Sequence, residues 1–282
     1  MTKLKESKIR PFIKWPGSKY RFLNFILAKL PIGKVLIEPF VGSGAIFLNT
    51  NYESYILSDA NSDLINLYKT LQQYGDEFIN FCNKFFISKN NTAIQYYKIR
   101  DQFNNMEQDQ DLITRAALFL YLNRHGYNGL CRFNKNNKFN VPFGSHKQLN
   151  FPAESMKLFC LKAQRAQFFL RDFKESLIKV KGRNSVVYCD PPYVPLSTTA
   201  NFISYQAGGF DASNQQILAD LAIKLSKKGV PVLISNHFTV CTKKIYSKAT
   251  ELTTFQARRM ISCHAATRNY VTELLALYTE RT

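Results

Sequence analysis

Ser185-Val186-Val187-Tyr188-Cys189-Asp190-Pro191-Pro192-Tyr193 is the stretch on which the reading of this chain turns. A short β-branched and aromatic run that stops abruptly at two prolines reads as a buried parallel strand, with any chemistry at its carboxyl end. The prolines fix φ and lack N–H donors, so Asp190 and the carbonyl of Pro191 can point as acceptors at one spot while Tyr193 offers a flat face. The exocyclic amine of a nucleobase fits such a corner: two N–H donors on a planar ring that stacks, with the nitrogen lone pair left to attack an electrophile. The plain alternative is a strand followed by a rigid turn, and the rest of the chain must choose between them.

Outward from there, Val35-Leu36-Ile37-Glu38 is another short strand, and Pro39-Phe40-Val41-Gly42-Ser43-Gly44 carries it into a helix near Ala45. Strand, glycine turn and helix form the arrangement of nucleotide-cofactor sites in doubly wound sheets. Tyr55-Ile56-Leu57-Ser58 is a third strand ending at Asp59, about fifteen residues past the glycines, where a carboxylate can bond both hydroxyls of a ribose. No lysine with serine or threonine follows the glycines as in a P-loop. That disfavours a triphosphate and leaves a nucleoside ligand without a polyphosphate, for which S-adenosylmethionine is a natural candidate. Upstream, Phe12-Ile13-Lys14-Trp15-Pro16-Gly17-Ser18-Lys19 sets the only tryptophan beside a Pro-Gly turn, as core packing or as a binding corner bracketed by lysines. Residues 21–30 read as a helix that Pro31 ends.

Asn61 can cap a helix carrying Leu64, Leu67 and Leu71, and helical patterns continue through 78–85, 94–103 and 112–123. This block interrupts the strand-helix alternation and reads as an insertion. It passes into His125-Gly126-Tyr127-Asn128-Gly129-Leu130-Cys131-Arg132 and a hairpin of Phe133-Asn134 with Phe139-Asn140-Val141-Pro142. Such a basic hairpin has side chains that can wedge into a base stack and read guanine through a bidentate guanidinium; an ordinary surface loop is the alternative. The alternation resumes with a helix over 156–163 and a strand over 167–170 that ends at Arg171-Asp172-Phe173. There an acid and an aromatic could bind the adenine of a cofactor, or Phe173 could be core. A helix over 211–227, a strand over 230–235 and an alternating end over 271–278 complete an α/β sheet. Residues 194–210, with Gly208-Gly209, read as a mobile loop over the site.

Charge supports a polyanionic partner. Lys and Arg number 38 against 20 Asp and Glu, a net +18 over 282 residues. The charge is segregated: between Leu112 and Ala153 there is no acid, and between Leu221 and Thr272 the only acid is Glu251 against nine Lys and Arg. Aromatics are interleaved with the basic residues of the first run, and no segment reads as a basic amphipathic anchor, so nucleic acid is favoured over a membrane. Six scattered cysteines without a C-x-x-C pair and four histidines without metal-ligand spacing point to a reducing cytoplasm and no metal. No apolar run approaches the length of a bilayer span, and no signal segment is expected.

Taken together, FIKWPGSK (12–19), EPFVGSGAIFLNT (38–50), SDANSDLINLY (58–68), LNRHGYNGLCRFN (122–134), FNVPFG (139–144), YCDPPYVPLS (188–197) and ISNH (234–237) resemble, in that order, the DNA adenine methyltransferase family of the GATC-modifying kind, in the alpha group of amino-methyltransferases. The resemblance covers nearly the whole chain. It implies an α/β, Rossmann-like methyltransferase fold with a mixed seven-stranded sheet, catalytic over 1–61 and 153–282, with an inserted helical and β-hairpin DNA-recognition domain over 62–152. By family position Trp15, Lys19, Asp59 and Asp190 line the S-adenosylmethionine pocket, with Phe40, Asp172 and Phe173 as further candidates. Asp190, Pro191, Pro192 and Tyr193 form the catalytic motif. Lys14, Tyr127, Asn128, Leu130, Arg132 and Pro142 match DNA-facing positions: Tyr127 and Asn128 would support base displacement, Arg132 would read guanine, and Leu130 with Pro142 would touch thymine's methyl. The implied reaction is methyl transfer from S-adenosylmethionine to N6 of a flipped adenine in double-stranded GATC, by a soluble monomer without a metal. N4-cytosine methylation, a silent DNA-binding regulator on the same fold, and an RNA or protein methyltransferase are the rivals. The chain departs from the family at Ser145, where relatives often place a basic residue, and at Ala265-Ala266, where glycines are usual.

Overall fold

Short β-branched and aromatic runs become strands here wherever helices can cover both of their faces. The computed structural model describes residues 8–107, 109–147, 150–193, 210–258 and 270–280. Its strands are β1 (Val35–Glu38), β2 (Ser54–Asp59), β3 (Ala166–Leu170), β4 (Ser185–Cys189), β5 (Val232–His237), β6 (Glu251–Arg258) and β7 (Tyr270–Tyr278). They form one seven-stranded sheet in the order β3-β2-β1-β4-β5-β7-β6. β1 is parallel to β2 and β4, β4 is parallel to β5, and β7 runs antiparallel to both β5 and β6. The sheet is therefore mixed, as expected. All five residues of β4 are buried, the pattern of a strand covered on both faces. Strand order reverses between β1 and β4, and ligands of open α/β sheets bind outside the carboxyl ends of strands at such a switch point.

The helices are α1 (Leu23–Leu27), α2 (Ala45–Leu48), α3 (Ser62–Asn83), α4 (Ala93–Asn105), α5 (Leu112–His125), α6 (Ala153–Ala163), α7 (Phe173–Ile178), α8 (Ala212–Ser226) and α9 (Val240–Ile245), counted among the described residues. Contacts divide the chain into two compact units. One comprises Met1–Arg21, Val41–Thr50 and Asp59–Leu170. In it α5 is buried without interruption from Arg115 to Asn123, so it is a central helix rather than a surface one. The buried Arg115 is neutralised there by Asp63, with Nε to Oδ1 at 2.6 Å and Nη2 to Oδ2 at 3.2 Å, and its guanidinium lies 4.3 Å from the Phe103 ring. A fork-to-fork pair of this kind satisfies both charges that burial would otherwise penalise. The other unit comprises Phe22–Phe40, Asn51–Ser58 and Arg171–Thr282. Its core joins Ile37, Val187, Cys189, Val232, Ile234 and Ala276 of the sheet to Phe173 and Leu177 of α7 and Leu218 and Ala222 of α8.

Several local expectations change. Asn61 does cap α3, its side chain accepting from the Leu64 N–H at 2.9 Å, but the helix expected over 78–85 is the end of α3 itself, beyond a break at Gly75 (φ 46°, ψ −122°). The helix expected over 21–30 is a 3-10 turn (Lys19–Phe22) followed by the five residues of α1. Pro31 disfavours helical geometry at Leu30, so the helix closes early. The hairpin is held by a single bridge, Phe133 to Phe139, not by a ladder. β6, α7 and α9 had no counterpart in the sequence reading. The loop expected over 194–210, except for Phe210, and Ala265-Ala266 lie outside the described residues. No helix among the described residues is long and apolar enough to cross a membrane.

Candidate active site

At the end of β4 the chain meets a set of fixed donors. Asp190 is half-buried, and its Oδ1 accepts the Ser235 hydroxyl at 2.9 Å. The register explains this contact: Cys189 pairs with Ile234, so the next residue of each strand stands beside the other. Ser235 is in turn 2.9 Å from the Tyr188 hydroxyl inside the core. The Pro192 carbonyl accepts Gln215 Nε2 at 2.9 Å; the amide oxygen of this fully buried glutamine accepts Asn236 Nδ2 at 3.1 Å and the Tyr246 hydroxyl. A rigid turn is thus also tied from α8 and β5, which limits the movement of Asp190 and Tyr193. The Tyr193 hydroxyl donates to Glu273 Oε2 at 2.8 Å, and its ring meets the edge of His237 at 4.5 Å between centroids. Burial, then Asp190 and Glu273, push the Tyr193 phenol well above its ordinary value, so it remains a neutral donor.

In the same unit Phe40 and Phe173 stack at 5.4 Å, and Phe210 packs against both. Phe173 is 3% exposed and belongs to the core cluster. Asp172 is exposed and caps α7, accepting the Lys174 N–H at 2.8 Å. The pair at the end of β3 thus divides into a cap and a core ring.

The glycine turn after β1 builds a second corner, within the other unit. Gly42 has φ +45°, and a Cβ there would fall 2.9 Å from the Trp15 indole, so only glycine lets the ring lie on this backbone. The Gly42 N–H donates to Asp59 Oδ2 at 3.1 Å, and the Asn61 N–H to Oδ1 at 3.0 Å. The Gly42 carbonyl accepts the Tyr68 hydroxyl at 2.5 Å. Burial raises the Asp59 carboxyl above its ordinary value, and backbone N–H groups of Asn61, Gly42 and Ala60 pull it partly back. Lys19 is buried and donates to the Gly17 carbonyl at 2.7 Å, and Ser18 and Ser43 share a hydrogen bond at 2.8 Å. Trp15 and Asp59, far apart in sequence, both meet Gly42, and Ser18, next to Lys19, bonds Ser43 of the same turn. This donor set suits a nucleoside: an indole face for a flat or cationic group and a carboxylate for two vicinal hydroxyls.

The expected DNA-facing residues also gather in that unit. Lys14 and the fully buried Asn123 are joined twice, Lys14 N–H to Oδ1 at 2.9 Å and Nδ2 to the Lys14 carbonyl at 2.6 Å. The lysine stem lies against Gly129, where φ is +63° and a Cβ would fall 2.4 Å from Lys14 Cβ. Burial, then Arg124, lowers the Lys14 ammonium from its ordinary value. Tyr127 is 51% exposed, Asn128 is exposed in a left-handed conformation (φ 52°), and the Tyr127 N–H donates to the Pro142 carbonyl at 2.9 Å. Leu130, half-buried, closes this turn with its N–H on the Tyr127 carbonyl at 3.1 Å. Arg132 is exposed, and Asn140 holds its guanidinium, accepting Nε at 2.8 Å on the side chain and Nη2 at 3.2 Å on the backbone. Sequence reasoning missed Gln215 and Glu273, and gave Asn123, Asn140, Ser235 and His237 no role beyond the motif matches that contain them. Among the described residues no three His, Cys, Asp or Glu cluster as metal ligands would.

The family model described as D12 class N6 adenine-specific DNA methyltransferase matches residues 15–261. A DNA adenine methylase of Vibrio cholerae serotype O1 is 48% identical over 273 residues, covering 96% of this chain and 97% of that one. That of Escherichia coli K12 is 47% identical over 271 residues, 96% of each chain. That of Serratia marcescens is 47% identical over 272 residues, 96% of this chain and 99% of its own.

Proposed function

The chain belongs to the D12 class of N6 adenine-specific DNA methyltransferases, and on that premise we propose its donor, its target and the residues that do the work. It is an adenine-specific DNA methyltransferase. The donor is S-adenosylmethionine, which supplies a methyl group made electrophilic by a sulfonium. The target is the adenine of GATC, turned out of a DNA duplex by a monomer working in the cytoplasm.

Asp59 takes the ribose hydroxyls, with Trp15 and Lys19 as its companions in binding the donor; Phe40, Asp172 and Phe173 are further donor-binding residues, and Phe173 stacks on Phe40 from the core. The amine of adenine gains positive charge only as the methyl arrives, so Asp190 serves as hydrogen-bond acceptor and charge stabiliser rather than as a strong base. The Pro191 carbonyl takes the second N–H, Pro192 stiffens the turn, and Tyr193 stacks on the base. Residues 62–152 carry recognition on the scaffold of 1–61 and 153–282. Tyr127 and Asn128 support displacement of the base, Arg132 reads guanine, Leu130 with Pro142 meets the thymine methyl, and Lys14 faces the duplex.

The observation that carries this reading is Asp190 at the end of the buried β4, fixed by Ser235 and followed by a Tyr193 that is itself tethered. The test is methyl transfer from labelled S-adenosylmethionine to duplexes with and without GATC, followed by nucleoside analysis. N6-methyladenine in the GATC duplex alone is the expected result. The same product elsewhere overturns the recognition assignment, N4-methylcytosine overturns the target, and donor binding without any product revives the silent regulator.

A further inference from the structure

We propose that Glu273 is a positioning residue for methyl transfer: it fixes the ring of Tyr193 for stacking on the target base, with His237 as the wall behind that ring. This rests on the reading of Tyr193 as the stacking face. Glu273 is 6% exposed, lies 80 residues from Tyr193 in sequence, and belongs to none of the segments expected to carry chemistry. Its Oε2 accepts the Tyr193 hydroxyl at 2.8 Å, and its Oε1 stands 3.7 Å from His237 Nε2. Register sets this arrangement, because His237 of β5 and Glu273 of β7 are direct cross-strand partners. The His237 ring meets Tyr193 at an interplanar angle of 74°, an edge-to-face contact that opposes tilting of the phenol.

A tyrosine ring on a turn has two free torsions, and stacking on a base uses only one orientation. A hydrogen bond at the phenol tip and an edge contact on the flank remove that freedom before the base arrives. The gain belongs to the bound, reacting state, so it appears in turnover rather than in duplex affinity. A buried carboxylate retained only to stabilise the fold would not discriminate between the two.

The test is steady-state methyl transfer by the full chain, with kcat and duplex KM measured for Tyr193→Ala, Tyr193→Phe, Glu273→Gln, Glu273→Leu and the Tyr193→Phe/Glu273→Leu pair, alongside thermal melts. Glu273→Leu is expected to lower kcat about tenfold, roughly 1.4 kcal/mol, with duplex KM within about twofold. Glu273→Gln keeps an acceptor and should remain within about threefold of the parent kcat. Because both ends act through one bond, the double variant should be no slower than the slower single one. A parent-like kcat in folded Glu273→Leu, or multiplicative losses in the double variant, overturns the proposal. Should Glu273→Leu fail to fold, Tyr193→Phe decides: a kcat about tenfold down supports the tether, and a parent kcat overturns it. Tyr193→Ala at full turnover would strike down the stacking reading itself, and the proposal with it. Inactive Tyr193→Ala beside fully active Tyr193→Phe and Glu273→Leu would strike the tether alone.

Discussion

Replacing Ser235 with alanine separates what holds Asp190 from what holds the fold. A serine hydroxyl has one hydrogen to give. Its oxygen lies 2.9 Å from Asp190 Oδ1 and 2.9 Å from the Tyr188 hydroxyl, so donating to the carboxylate obliges Tyr188 to donate in turn. Tyr188 can do so, because burial, and then Asp190, push its phenol well above the ordinary value and it keeps its proton. Ser235→Ala therefore takes one donor from Asp190 and one acceptor from a phenol in the core. A hydrogen bond to a charged group is worth about 1.5–3 kcal/mol, so kcat should fall roughly ten- to hundredfold, with donor and duplex KM within about twofold. The stranded phenol costs about 1–3 kcal/mol of stability, a Tm lower by roughly 2–10 °C for a chain of this size. Tyr188→Phe/Ser235→Ala removes the stranded hydroxyl, so Tm should recover while kcat stays low. Single-turnover methyl transfer and thermal melts of the parent and both variants read the two effects separately. A folded Ser235→Ala at parent kcat, or a double variant whose kcat recovers together with its Tm, would show that the Ser235 hydroxyl does not act through Asp190.

Gly42→Ala places a Cβ 2.9 Å from the rigid Trp15 indole at a left-handed φ, so donor affinity should fall at least about tenfold in calorimetry while the chain stays folded; an unchanged affinity would remove Trp15 from the donor corner. If Asp59 holds the donor as a carboxylate, as proposed above, its raised folded pKa means that donor affinity should be full above that raised value and decline as pH falls through it, sooner than for an ordinary carboxylate. Asp59→Asn should bind more weakly at neutral pH and without that acid limb, and identical pH slopes for the two proteins would contradict the assignment. Gly129→Ala drives a Cβ into the Lys14 stem, so duplex affinity should drop about tenfold while donor affinity is retained; equal losses of both would mean a general disturbance of the unit.

What the sequence makes legible is what lies close together along it. Asp190 to Tyr193 are adjacent, the turn from Phe40 to Gly44 directly follows its strand, and Asp59 is the last residue of β2; each carries a local signal that proline, glycine or an abrupt polar end makes visible. β6 escapes notice because its residues up to Gln256 are exposed or half-buried, without the apolar alternation that marks a strand, and it is recognisable only from its pairing with β7. The supports of the site escape for a related reason. Ser235 lies 45 residues from Asp190, Gln215 lies 23 from Pro192 and Glu273 lies 80 from Tyr193, and no spacing in the chain announces those meetings. They are nonetheless determined by something the sequence does encode. Pairing of Cys189 with Ile234 puts Ser235 beside Asp190, and pairing of His237 with Glu273 closes the wall behind Tyr193. Slipping β5 by one residue would turn Ser235 to the opposite face and put Asn236 or Ile234 in its place beside Asp190. The apolar residues Val232, Leu233 and Ile234, all fully buried, forbid that slip by their packing. The hydrophobic residues of β5 thus decide which hydroxyl reaches the Asp190 carboxylate.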